Sequence, residues 1–206
     1  ADLLERLGFR VTHLPVASNG MVDPRSVDAL APGHTVVATM LANNETGVIQ
    51  PVKDIARQAQ GALLHTDAAQ SVGKVPVRVR ELGVDLLSVA GHKLYAPKGV
   101  GALFIRRGAR IAPFVLGAGH EHGRRPGTEN VASIVGLGVA CEIARRDLDA
   151  AGARIIALRD ALHRSLAAGV AGLTLQGHPD HRLPNTLNVR FPRVVGTALL
   201  DSTPEI

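Results

Sequence analysis

One histidine–lysine pair, His92-Lys93, stands where a strand-like apolar run, Leu86 to Ala90, gives out. A proline–glycine turn, Pro97 to Gly101, follows it and leads into a second apolar run, Ala102 to Ile105. An ammonium at the mouth of a buried strand costs stability unless it is paired or solvated. An amine in that position is suited to attack an aldehyde and form a Schiff base. The pair therefore raises the expectation of carbonyl chemistry at Lys93.

Pyridoxal phosphate is the aldehyde most often used this way, and its demands can be set against the other polar residues. Its ring nitrogen stays protonated beside a buried carboxylate, and Asp67, at the end of the apolar stretch "ALLHTD", is such a carboxylate. Its ring hydroxyl takes a neutral donor, for which Asn44 and Gln70 are candidates. Its phosphate takes imidazole, hydroxyl or backbone amide donors, and His92 and Thr128 could serve. Each candidate has an ordinary role as well. Lys93 alone reads as a surface lysine, Asp67 as an N-cap for "AAQSV", and Asn44 and Gln70 as turn and helix residues.

The elements that must position these groups alternate between strand and helix. "HTVVATMLA", "ALLHTD", "VDLLSVA" and "GALFI" read as buried strands, and "PVKDIARQAQG" as a helix opened at Pro51 and stopped at Gly61. That alternation predicts an α/β fold with a largely parallel sheet. Asn43-Asn44, Asp67 and His92-Lys93 then fall at the carboxyl ends of three strands, where ligands sit in open α/β sheets. "ADLLERLG" reads as a helix end stopped at Gly8, "FRVTHLPV" as a short strand and "LPNTLNVRF" as a later one. Residues 130 to 167 read as one long or broken helical stretch, bending near Gly152. A division near Leu148 separates a large domain, 1–148, from part of a smaller α+β domain, 149–206.

Composition narrows the classes. The 206 residues are 46% hydrophobic and carry a formal charge of +5, with arginines in scattered pairs and aromatics at 2%. Few aromatic platforms and no long basic tract argue against direct nucleic-acid binding. No apolar run is long enough for a membrane helix. The one cysteine, Cys141, excludes an internal disulfide, suits the cytoplasm, and reads as core packing on the apolar stripe of a helix. His120, Glu121 and His122 sit in a glycine-rich loop whose spacing is a poor start for a metal site, so no metal is expected. "GVGAL" leads into a strand and so fails the dinucleotide-loop context.

Four stretches in order, "ANNETGVIQPV", "HTDAAQSVGK", "AGHKLYAPKGVGAL" and "GRRPGTENV", resemble the cysteine desulfurases of the NifS/IscS type. These are pyridoxal-phosphate enzymes of fold type I in the class V aminotransferase group. The resemblance implies that Lys93 holds the cofactor and that Asp67 pairs with its ring nitrogen. It also implies that Asn44 and Gln70 bond the ring hydroxyl and that His92 contacts the phosphate. Thr128 would reach the phosphate held by the neighbouring subunit of a homodimer. L-cysteine as substrate and a sulfur-acceptor or scaffold protein as partner follow from the same resemblance, with iron–sulfur assembly, tRNA thiolation and DNA modification among the pathways that could receive the sulfur. Ala90 stands where many members carry a phosphate-binding hydroxyl, which raises Ser88 as a substitute. The family's ring-stacking histidine would precede Ala1, and its sulfur-accepting cysteine and substrate arginine would follow Ile206. The chain is thus expected to be the central piece of a longer enzyme, inactive as a desulfurase by itself. An aminotransferase or lyase of the same fold, or a non-catalytic remnant, remains the alternative.

Overall fold

In the computed structural model, which describes residues 2–30, 33–59 and 61–202, a four-stranded sheet occupies the middle of the chain. Its strands are β1 (Val36–Met40), β2 (Leu63–Asp67), β3 (Leu86–Ala90) and β4 (Gly101–Ile105), in that spatial order. The first three run parallel, and β4 turns back antiparallel to β3. The expected α/β architecture with a mostly parallel sheet is what forms. Four helices precede or link these strands: α1 (Asp2–Arg6), α2 (Pro24–Leu30), α3 (Val52–Gln58) and α4 (Val79–Leu82).

The core lies on one face of the sheet. Val37, Leu64 and Leu87 project there and pack with Val27 of α2, with Val52 and Ile55 of α3, and with Val84. Strand residues alternate faces, so Ala38, Met40, His65, Asp67 and Ser88 take the other side. Two polar anchors set the frame around this core. Asp85, buried just before β3, accepts the Leu64 amide at 2.8 Å and the Arg106 Nε at 2.6 Å. Buried Gln50 accepts the Val22 amide at 2.9 Å and donates to the Gly20 carbonyl at 2.7 Å. Each serves segments distant in sequence, and each leaves the backbone group it meets satisfied inside the protein.

Beyond β4 come a single turn, α5 (His120–Gly123), and the long helix α6 (Val131–Gly169). Asn130 caps α6, its side chain accepting the Ser133 amide at 3.2 Å. A two-stranded ribbon, β5 (Thr174–Leu175) with β6 (Val189–Arg190), and α7 (Gly196–Asp201) complete the described chain. No described helix is long and apolar enough to cross a membrane.

Several expectations give way. The stretch 9–16 forms no strand; only Val16 bridges, to Val22. An alternating pattern needs a neighbouring strand, and these residues find none beyond that bridge. In "LPNTLNVRF" the strand is confined to Val189 and Arg190, and Leu183 at the other end of the stretch bonds to Gly47 instead. By contrast the long helix expected here does form, as one continuous element through Gly152, a single internal glycine being tolerated in a long helix. Cys141 is exposed, since the apolar residues of α6 do not share one buried face. Helix α3 ends at Gln58 rather than near Gly61. Gln60 and the tail 203–206 lie outside the described residues.

Candidate functional site

Parallel pairing brings three strand exits to one edge of the sheet. Met40 is in register with Asp67, and Asp67 with Ser88. The Leu41 amide continues the ladder to the Asp67 carbonyl at 2.8 Å, and the Ala68 amide reaches the Ser88 carbonyl at 3.0 Å. The turn bearing Asn44, the side chain of Asp67 and the turn bearing Lys93 therefore leave from neighbouring strands at the same end.

Each exit is built locally. Asn43 Oδ1 accepts the amides of Glu45 and Thr46 at 2.9 and 2.8 Å, and the Thr46 hydroxyl at 3.0 Å. This side-chain-closed turn spends Asn43 on architecture and leaves Asn44 exposed. Asp67, half-buried, uses Oδ1 to cap the next turn through the Ala69 amide at 2.8 Å. The residues after it form consecutive turns, not a helix, and they carry Gln70, also half-buried. The helix that Asp67 was expected to cap does not form, but its side chain still holds the following turn, which occupies one carboxylate oxygen.

The His92-Lys93 turn is a 3₁₀ helix, Gly91–Leu94. A Cβ at Gly91 would stand 2.7 Å from the Val100 carbonyl, so only glycine permits that backbone approach. Tyr95 closes the turn in the left-handed region at φ 62°, its amide donating to the Gly91 carbonyl. Leu94 is buried and α6 packs against the turn, while His92 and Lys93 are exposed. Thr128 is exposed in the segment entering α6 and bonds to none of the other five candidate residues. The sheet edge thus gathers Asn44, Asp67, Gln70, His92 and Lys93, and Thr128 belongs to the segment entering α6.

Two neighbours escaped the sequence reading. Lys74 Nζ lies 3.4 Å from the Lys93 carbonyl. Burial and the charge of Lys93 together hold its ammonium below the ordinary lysine range. Its place at the end of "HTDAAQSVGK" was the available signal. His65, two residues before Asp67 on the same face, meets Ser88 Oγ through Nε2 at 2.8 Å. Ser88 is therefore engaged within the sheet, which weakens it as the substitute for a hydroxyl at Ala90. Among the described residues no His, Cys, Asp or Glu cluster could hold a metal ion. Cys141 lines a cleft with Gly73, Val75 and Arg78; Lys93 does not line it.

The aminotransferase class-V family profile matches residues 1–202. A cysteine desulfurase of Gluconacetobacter diazotrophicus is 47% identical over 196 residues, covering 94% of this chain and 49% of that protein. The cysteine desulfurase NifS of Azotobacter vinelandii is 45% identical over 202 residues, covering 97% of this chain and 50% of its own length. Among solved structures, a NifS-like protein superposes with a TM-score of 0.93 at 38% identity, covering 99% of this chain and 57% of that one. The chain spans about half the length of the curated relatives it matches.

Proposed function

This chain belongs to the aminotransferase class-V family, and from that premise we propose that it serves a pyridoxal-phosphate-dependent cysteine desulfurase. The reaction passes the sulfur of L-cysteine to an acceptor thiol as a persulfide and leaves L-alanine. The observation that carries this reading is the convergence of Asn44, Asp67 and Lys93 on one edge of the sheet. The donor set suits the cofactor: a half-buried carboxylate with one oxygen committed to the backbone, an accessible amine, and neutral amide side chains beside them.

Pyridoxal phosphate, when bound, supplies an aldehyde for the amine and a ring that accepts electron density. Lys93 Nζ would hold the cofactor through its aldehyde and, as a free amine, would take and return the substrate α-proton. Asp67 would keep the ring nitrogen protonated through its negative charge. Asn44 and Gln70 would bond the ring hydroxyl. His92 would contact the phosphate, and Thr128 would reach it from the neighbouring subunit of a homodimer. Cys141, exposed on α6 in a cleft that Lys93 does not line, is not the sulfur acceptor in this scheme. A scaffold or acceptor protein then receives the sulfur, in the cytoplasm. The division into 1–148 and 149–206 belongs to the same proposal, with α6 passing from one part to the other.

Borohydride reduction of the chain mixed with pyridoxal phosphate, followed by peptide mass spectrometry, tests the reading at its centre. The phosphopyridoxyl group is expected on Lys93 in preference to Lys53, Lys74 and Lys98. In the full enzyme, Lys93→Ala is expected to abolish alanine formation from cysteine. Equal labelling of all four lysines, or turnover that survives the substitution, would overturn the mechanism. A keto acid formed without sulfur release would replace it with an aminotransferase.

A further inference from the structure

The turn that carries Asn44 is held from outside by a segment more than a hundred residues away in sequence. The Ile49 amide donates to the His181 carbonyl at 2.9 Å, and the Leu183 amide to the Gly47 carbonyl at 2.9 Å. Val48 and Arg182 form a β-bridge between these two bonds, and Asn188 Nδ2 reaches the Glu45 carbonyl at 3.3 Å. Two glycines make room for the contact. A Cβ at Gly47 would stand 2.6 Å from Thr186 Cβ, and one at Gly177 would stand 2.8 Å from Val48 Cγ2. The two segments are fitted against each other at the backbone level.

What fixes the outer segment is α6. Arg159 Nη1 donates to the Leu183 carbonyl at 2.9 Å, and its Nε donates to Asp160 Oδ1 at 2.8 Å. Arg182 Nη2 shares the same carboxylate oxygen at 3.4 Å. The two guanidinium side chains are only 11% and 6% exposed, so Arg159 is a held group and not a solvated one. The Arg159 guanidinium keeps the Asp160 carboxyl below the usual carboxylate range, so the acid stays charged and continues to orient both arginines.

We propose that Arg159 is a positioning residue for Asn44, acting from α6 through the Leu183 carbonyl and the Leu183–Gly47 hydrogen bond. A displacement of the helix at Arg159 is then felt at the strand exit where the cofactor is read. The inference rests on the assignment of Asn44 as a cofactor ligand. It also deepens that assignment, because it makes the C-terminal segment a supporting wall of the site.

Amide hydrogen exchange of the full chain tests the staple without any cofactor. Arg159→Met is expected to speed exchange at residues 45–49 roughly tenfold, as loss of a charge-assisted bond implies. Residues 63–67 should be unchanged. Arg159→Lys, which keeps a cationic donor, is expected to restore part of the protection. Titration with pyridoxal phosphate, followed by absorbance, reads the functional half. Arg159→Met and Asn44→Ala should each weaken binding, and the double variant should be no weaker than Asn44→Ala, since coupled residues are not additive. Unchanged exchange at 45–49 overturns the staple, and additive binding losses overturn its action through Asn44. Should Arg159→Met not fold, Asp160→Asn must loosen the same five residues, and protection retained there also overturns the proposal. An unsubstituted chain that shows no absorbance change defeats the cofactor reading itself, while the exchange result still decides the staple.

Discussion

The sheet and the long helix are built on opposite terms. Between Val36 and Ile105 the chain closes a core: Ile55 is fully buried, Leu64 is 2% exposed and Leu87 3%. Helix α6 is 39 residues long, and Leu137 is its only buried residue among those described. Val131, Ile134, Val135, Val139 and Ile143 on that helix all face solvent in this chain. The sheet is held by burial and by polar anchors such as Asp85. The helix is held by intrinsic propensity, by its Asn130 cap, by packing against the Gly91–Leu94 turn, and by Arg159 near its far end. The candidate site draws on both: all of its residues except Thr128 lie where strands leave the sheet, and two of the turns that carry them are braced by the helix.

Three substitutions would break or sharpen that contrast. The largest effect is expected at Ile55. Truncation to alanine empties a fully buried position and should cost about 4 kcal/mol in a chemical denaturation series. A loss below about 1 kcal/mol would mean that the sheet side is as loosely packed as the helix. Asp85→Ala comes next. It strands the buried Leu64 amide, which should cost about 2 kcal/mol, while Arg106, well exposed, can turn to water. Thermal unfolding monitored by far-ultraviolet dichroism measures it, and a neutral result would remove Asp85 as an anchor. The smallest effect belongs to the helix. Ile143→Ser exchanges residues of similar helix propensity at a position 46% exposed, so the change should stay within about 0.5 kcal/mol. A loss of several times that size would show that this face of α6 is covered in solution.

The sheet was legible because its strands are continuous β-branched and leucine runs bounded by turn residues, and local pattern suffices for such elements. Asp67 and His92-Lys93 were legible for a related reason: each stands where such a run gives way to a turn. The same logic failed at 9–16, where the alternation is present and the partner strand is not. It failed at Cys141 because the residues around it are apolar on several sides, so the pattern does not say which side is covered. His65 was overlooked for another reason. A lone histidine inside a strand has no local signal, and its bond to Ser88 exists only once β2 and β3 are in register.

From the residues alone came the kinds of element, their order, and the chemical groups that end each strand, because propensity, turn chemistry and hydrophobic period act over a few positions. The tertiary structure decided which exits are neighbours, which oxygen of Asp67 is already committed, and what stands behind Asn44. Those depend on parallel pairing and on contacts such as Leu183 with Gly47, which join positions far apart in sequence. Such contacts form only when the whole fold brings both partners to the same place, so no short stretch of sequence carries them.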